Sequence, residues 1–128
     1  MVIDSSALLA ILFEEPDAYV FASAMTNSAI CLLSAVSLVE TSIVAMRLRT
    51  PDPVTAFDHL IDKLGIEVVP VDREQALLAR EAFRRFGKGR HKAGLNCGDC
   101  FAYALAKQTN EPLLYKGNDF SQTDISAV

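Results

Sequence analysis

The chain has 128 residues, a length for one domain spanning residues 1–128 with a single sizeable core and no room for a second. With 51% hydrophobic and 22% charged residues, it has the composition of a folded globular protein and not of a disordered one. The formal charge of −4 excludes a generally basic nucleic-acid-binding surface, and the longest apolar stretch, Ala29 to Val39 interrupted by Ser34 and Ser37, is too short to span a bilayer.

Met1-Val-Ile-Asp4 reads as a short buried strand, and Asp4 follows the start methionine too closely for a signal peptide, so a cytoplasmic location is expected. Leu8, Leu9, Leu12 and Phe13 then recur on one helical face. Pro16 suits the first turn of a second helix, with Tyr19, Val20, Ala24 and Met25 along its apolar side. Ala29 to Leu33 is a continuous apolar run, the pattern of a parallel strand covered on both faces.

Ser37 and Glu40 have the S-x-x-E spacing of a capping box, which predicts a helix over Thr41 to Leu48, broken by Thr50-Pro-Asp-Pro53. Phe57, Leu60, Ile61 and Leu64 continue the helical period up to Gly65. A strand over Glu67 to Val71 follows, and Asp72 caps a helix running to about Phe86. Gly87 to Gly98 is a loop, Asp99 begins an alanine-rich helix through Ala106, and Leu113 to Tyr115 forms another short strand. Gly117-Asn118 supplies a turn before Asp119, and Ile125 to Val128 is a candidate edge strand. This alternation predicts a three-layer α/β/α domain with a mostly parallel central sheet, whose ligands gather beyond the carboxyl ends of the strands.

Three cysteines cannot all pair. Cys97 and Cys100 form a CxxC, but His59 and His91 are isolated, so a structural zinc site lacks its other half. The spacing places Cys97 in the first turn of the late helix and Cys100 in its core. Arg84 to Lys92 carries five Lys/Arg (Arg84, Arg85, Lys88, Arg90, Lys92) and no acid, leaving seven basic against 16 acidic residues elsewhere. Such a run is either a solvated helix end complementing the dipole or an edge that grips phosphates.

Asp4, Glu40, Asp99 and Asp119 stand where strands give way to helices or loops. Each has a structural alternative: Asp4 as a helix N-cap, Glu40 as the partner of Ser37, Asp99 in a first turn after Asn96, and Asp119 in an Asx-turn. Brought together, they would form a site of oxygen ligands suited to a hard cation, with the acids divided between direct and water-mediated contacts.

Met1-Val-Ile-Asp-Ser-Ser-Ala-Leu8, Ser37-Leu-Val-Glu40, Leu95-Asn-Cys-Gly-Asp-Cys-Phe-Ala-Tyr-Ala-Leu105 and Leu113-Leu-Tyr-Lys-Gly-Asn-Asp-Phe120 strongly resemble the PIN-domain ribonuclease toxins of bacterial VapBC toxin–antitoxin modules. The likeness runs in order over nearly the whole chain. It implies that Asp4, Glu40, Asp99 and Asp119 are the acidic quartet, with Asp4 and Asp99 as direct Mg²⁺ ligands and Asp119 as a further metal-site acid. Ser6, in the Asp-x-Ser pattern, would orient a water or phosphate, and Asp124 would be a peripheral acid. The chain departs from the family at Lys116-Gly-Asn, where a Thr or Ser often precedes the fourth acid.

The resemblance implies a Mg²⁺-dependent endoribonuclease, Mn²⁺ also serving, in which a metal-activated water attacks the phosphodiester. Arg84, Arg85, Lys88, Arg90 and Lys92 would hold RNA. The partners implied are an RNA substrate and a VapB-like antitoxin, with a homodimer expected, alone or within a hetero-oligomer, through the helices around Tyr19 to Met25 and Thr41 to Leu48. The alternatives are a catalytically weak PIN-fold RNA- or protein-binding module and a metal-dependent phosphatase. No Gly-rich phosphate loop supports a nucleotide-binding enzyme.

Overall fold

The computed structural model describes residues 1–128. Four short apolar segments pair side by side, all parallel: β1 (Val2–Ile3), β2 (Cys31–Ser34), β3 (Ile66–Val69) and β4 (Leu113–Leu114), in the order β3-β2-β1-β4. Val2 is in register with both Leu32 and Leu113, so β1 is central. Six helices connect them: α1 (Ser5–Leu12), α2 (Ala18–Thr26), α3 (Ala35–Ala45), α4 (Pro53–Lys63), α5 (Arg73–Phe86) and α6 (Cys97–Thr109). None is long and apolar enough to cross a membrane.

The period-two alternation of a strand divides the core in two. Val2 and Leu113 point to one face, where they pack with Ala79, Ala82 and Phe86 of α5 and Tyr103 and Leu105 of α6. Ile3, Leu33 and Leu114 point to the other, against Leu8 of α1, Phe21 and Met25 of α2, and Phe57 and Ile61 of α4. The result is the three-layer α/β/α arrangement that the alternating pattern predicts. Phe57 is completely buried, and truncating such a ring to Ala costs about 3–5 kcal/mol.

Several boundaries differ from the sequence reading. β2 starts at Cys31, leaving Ile30 exposed, and passes straight into α3. The Ser34 hydroxyl accepts from the Val36 N–H at 3.2 Å and caps α3 three residues before Ser37. Ser37 and Glu40 therefore lie inside a helix already begun, and there is no capping box between them. α3 also ends at Ala45, short of Leu48.

Asp17, not Pro16, sits at the N-cap of α2, and that helix buries Phe21 and Met25. Tyr19 and Val20 face outward, 74% and 48% exposed, because the i, i+4 pair of Phe21 and Met25 already fills the contact with the core. β3 ends before Val71, which is exposed. The expected terminal strand is reduced to a single parallel bridge, Leu113 to Ala127.

The strand order places a topological switch point at β1. The chain moves from β1 to β2 and β3 on one side, then returns to place β4 on the other. Ligands of open parallel sheets bind outside the carboxyl ends of strands at such a point. Asp4 follows β1, and the segment from Lys116 to Asp119 follows β4.

Candidate functional site

Asp4 leaves β1 in extended geometry and caps α1. Its Oδ2 accepts from the Ser6 N–H at 3.0 Å and from the Ser6 hydroxyl at 2.5 Å. Its Oδ1 is buried and has no partner. Removal from water pushes the Asp4 carboxyl above its ordinary range, and its hydrogen bonds from Ser6 pull only partly against that. The cap reading is thus correct for one oxygen and leaves the other unexplained.

Ser6 is engaged on both sides. Its hydroxyl donates to Asp4 and accepts from the Lys116 N–H at 2.9 Å. This joins the loop after β4 to the acid after β1.

Glu40 projects from the middle of α3. Its Oε1 accepts from the Ser5 hydroxyl at 2.7 Å. Its carboxylate also lies directly over the backbone of α6: a Cβ added to Gly98 would stand only 2.0 Å from Glu40 Oε2. Only a glycine permits this approach. Ser5 and Gly98 are the residues that sequence reasoning missed. Their partner lies tens of residues away, and the only local trace was the Ser-Ser pair after Asp4.

Asp99 is the third residue of α6, inside a capping box with Asn96. The Asp99 N–H donates to Asn96 Oδ1 at 2.8 Å, and the Asn96 N–H donates to Asp99 Oδ2 at 2.9 Å. The first-turn reading was correct, and the cap is Asn96. Burial pushes the Asp99 carboxyl up to about 7 against the pull of the Asn96 hydrogen bond, and Asp4, Glu40 and Asp119 each add repulsion. Folding thus brings the four acids into one electrostatic neighbourhood. Asp119 contributes from the edge: it is exposed, precedes the short helix Phe120–Gln122 and makes no side-chain capping bond.

No three His, Cys, Asp or Glu side chains are already closed into a cation cage. A magnesium ion takes one or two carboxylates directly and keeps several waters. The all-oxygen donor set fits that requirement, and the buried, unpartnered Asp4 Oδ1 beside a raised Asp99 is the atom such an ion would satisfy.

The PIN-domain family model matches residues 1–126. The chain belongs to the PIN-domain family. Among curated relatives, this PIN domain is 48% identical to a "Ribonuclease VapC" of Mycolicibacterium smegmatis, over 100% of the chain and 99% of that protein. It is 47% identical to "Ribonuclease VapC30" of Mycobacterium tuberculosis, over 100% and 98% respectively. Among solved structures, it resembles VapC20 of Mycobacterium tuberculosis, described as a sarcin–ricin loop cleaving toxin, with a TM-score of 0.77 at 16% identity over 99% of this chain and 97% of that one. It also resembles VapBC2 from Rickettsia felis bound to a promoter DNA fragment, with a TM-score of 0.75 at 11% identity over 98% and 94%. These two likenesses show a shared fold.

In this PIN domain the basic segment divides. Arg84 is forked onto Glu81 at 2.6 and 2.8 Å, and Arg85 pairs with Asp124 at 3.4 Å while lying over the Phe86 ring. Lys88, Arg90 and Lys92 have no carboxylate partner, although the Arg90 Nε donates to the Arg84 carbonyl. They occupy a loop tied at its ends by the Lys88 N–H to Leu95 O bond (2.9 Å) and the Leu95 N–H to Phe86 O bond (3.0 Å). Asn96 follows at once, so the basic loop leads into the cap that holds Asp99.

Asp124 is committed elsewhere, accepting from the Tyr103 hydroxyl at 2.7 Å and pairing with Lys107 at 3.3 Å and Arg85 at 3.4 Å. Partial burial raises its carboxyl, but these donors carry it below the ordinary range. Cys97 is exposed in the first turn of α6 and Cys100 is buried, as the spacing predicts, and all three cysteines are free thiols.

Proposed function

We propose that this PIN domain is a Mg²⁺-dependent endoribonuclease, the toxin of a VapBC-type module, and that a VapB-like antitoxin neutralises it. The observation that carries the chemistry is the buried Asp4 oxygen without a partner, on an acid whose charge repels the Asp99 carboxyl, itself pushed up to about 7 mainly by burial. The ribonuclease relatives, matched end to end, supply the substrate class.

Asp4 and Asp99 would hold the ion, and Asp119 would support it from the edge. The bound cation supplies Lewis acidity at a phosphodiester and a lowered pKa for an attacking water. Glu40, held by Ser5 and pressed on Gly98, would orient that water and accept its proton. Lys88, Arg90 and Lys92 would grip flanking phosphates, which positions RNA without reading its bases. The 2′-hydroxyl takes no part, so products with 5′-phosphate and 3′-hydroxyl ends are expected.

An apolar groove of about 560 Å³, lined by Val36, Val39, Ile43 and Val44, runs up to Glu40, Cys97 and Gly98. With the outward-facing Tyr19 and Val20, it offers apolar surface to an antitoxin segment or a second copy of the chain. An Arg or Lys from the antitoxin would neutralise the acids in place of the ion.

The test is incubation of the antitoxin-free chain with tRNA, ribosomal RNA and messenger RNA in Mg²⁺, Mn²⁺ or EDTA. Cleavage that needs the metal supports the reading. RNA binding by folded protein with no cleavage in any metal would favour a binding module.

A further inference from the structure

We propose that Lys116 is a positioning residue of the acidic site, clamping the loop that carries Asp119 to Asp4 on one side and to the turn between α1 and α2 on the other. The inference rests on the metal-site reading above. It starts from the contacts of Lys116, whose backbone and ammonium are both engaged.

Lys116 is held at two points. Its backbone N–H donates at 2.9 Å to the Ser6 hydroxyl, which donates in turn to Asp4 Oδ2 at 2.5 Å. Its ammonium bridges two carboxylates, Glu15 and Asp17, the latter at 2.8 Å. The Asp17 carboxyl is drawn below its ordinary range by that hydrogen bond. Both carboxylates lie in the connection after α1, the helix that Asp4 caps. Glu14, at the start of that turn, has a left-handed φ of 50°.

The far end of the loop is fixed as well. Phe120 is buried and packs on Tyr115 with ring centroids 5.1 Å apart. Between these anchors, Gly117 takes a φ of 98° and Asp119 accepts no side-chain hydrogen bond. Asp119 therefore owes its position to its backbone, which is held on the far side by buried Phe120, the Ser121 hydroxyl donating to the Asn118 carbonyl at 2.6 Å and the Gln122 N–H donating to the Asp119 carbonyl at 3.3 Å, and on the near side by Lys116. An isolated surface ion pair orders little, but here one ammonium is shared by two carboxylates while the backbone N–H of the same residue reaches a buried acid through Ser6, and the two together remove freedom at the loop's hinge.

Charge and position give opposite signs, which makes the proposal testable. If Lys116 acted only as a cation near the acids, removing it would raise the local negative charge and tighten divalent binding. If it positions Asp119, removing it loosens the loop and weakens binding. The experiment titrates Mn²⁺ into Lys116→Met, Lys116→Arg and the unaltered chain, following free Mn²⁺ by electron paramagnetic resonance. Amide hydrogen exchange at residues 116–120 is measured on the same proteins without metal, and on Glu15→Gln/Asp17→Asn.

The expected result is at least fivefold weaker Mn²⁺ binding by Lys116→Met, recovery in Lys116→Arg, and faster exchange in both Lys116→Met and the double variant. Equal or tighter binding by Lys116→Met, or unchanged exchange in both variants, overturns the proposal. If the unaltered chain binds no Mn²⁺, the metal reading itself falls, whereas the exchange data still report on the clamp.

Discussion

The Ser5 hydroxyl donates to Glu40 Oε1 at 2.7 Å, joining the first turn of α1 to the middle of α3 across 35 residues. It also lies 3.4 Å from the Ser37 carbonyl, so one small side chain ties α1 to two turns of α3. Hydrogen bonds to charged groups contribute about 1.5–3 kcal/mol. Ser5→Ala is expected to lower RNA cleavage roughly tenfold or more at saturating metal while Mn²⁺ affinity stays within about twofold. Steady-state cleavage and metal titration separate the two, and a loss confined to metal affinity would contradict the role given to Glu40.

Gly98 predicts a steric coupling. An alanine Cβ would meet Glu40 Oε2, Cδ and Oε1 at 2.0, 2.6 and 2.8 Å, so the carboxylate must swing away. Gly98→Ala should cost activity at least as strongly as Ser5→Ala and about 1–3 kcal/mol of stability. Adding Glu40→Ala should return most of that stability and none of the activity. Additive unfolding free energies in the double-mutant cycle would show that the two positions do not collide.

Asp4 sets function against stability. Asparagine caps a helix as well as aspartate does, and it carries no charge to bury. Asp4→Asn is expected to abolish cleavage by a factor of about 100 or more and to leave the metal-free protein as stable or more so. Thermal unfolding in EDTA beside an RNA cleavage assay checks both halves. A large loss of stability would mark Asp4 as structural.

The raised carboxyls predict an inverted pH response. Asp99 moves from 3.8 to about 7, and Asp4 moves in the same direction, so the folded chain holds these protons more tightly than the unfolded one. Their contribution is complete below about pH 4 and is lost as pH rises through about 7. Asp17, Asp52, Asp72, Glu81 and Asp124 are shifted down and act oppositely, losing their contribution as pH falls below about 4. Without metal, Tm should therefore fall between about pH 5 and pH 8, and millimolar Mg²⁺ should reduce that fall. A Tm in EDTA that climbs over this interval would refute the assignment.

Within the basic segment, only the unpaired cations should dominate RNA binding. Replacing Lys88, Arg90 and Lys92 together should reduce the salt dependence of RNA affinity by roughly 2 in log–log slope, at about 0.7 per phosphate contact. Replacing Arg84 and Arg85, already held by Glu81 and Asp124, should change it much less. Equal effects from the two sets would show that the ion pairs open on binding.

The parallel sheet and most of the helices could be read along the chain because their signals are local, and the four acids stood out where strands give way to helices or loops. Val2-Ile3 and Leu113-Leu114 are apolar on both sides because both faces of the sheet are covered. Asn96 and Asp99 stand at capping distance because an N-cap satisfies donors within one turn. The Ser37–Glu40 spacing obeyed the same local rule and misled, since Ser34 reached a free N–H first and the helix was already under way. No local rule contains the Ser5–Glu40 bond, the closeness of Glu40 to Gly98, the Lys116 bridge or the pairing of Asp124. Each joins residues far apart in the chain, and only the packing of helices and loops around the central strands brings them together. The sequence by itself determined which side chains can carry charge and which backbone can turn. The tertiary structure decided which acid is stripped of water and left with an unpartnered oxygen, because burial and repulsion depend on neighbours in space.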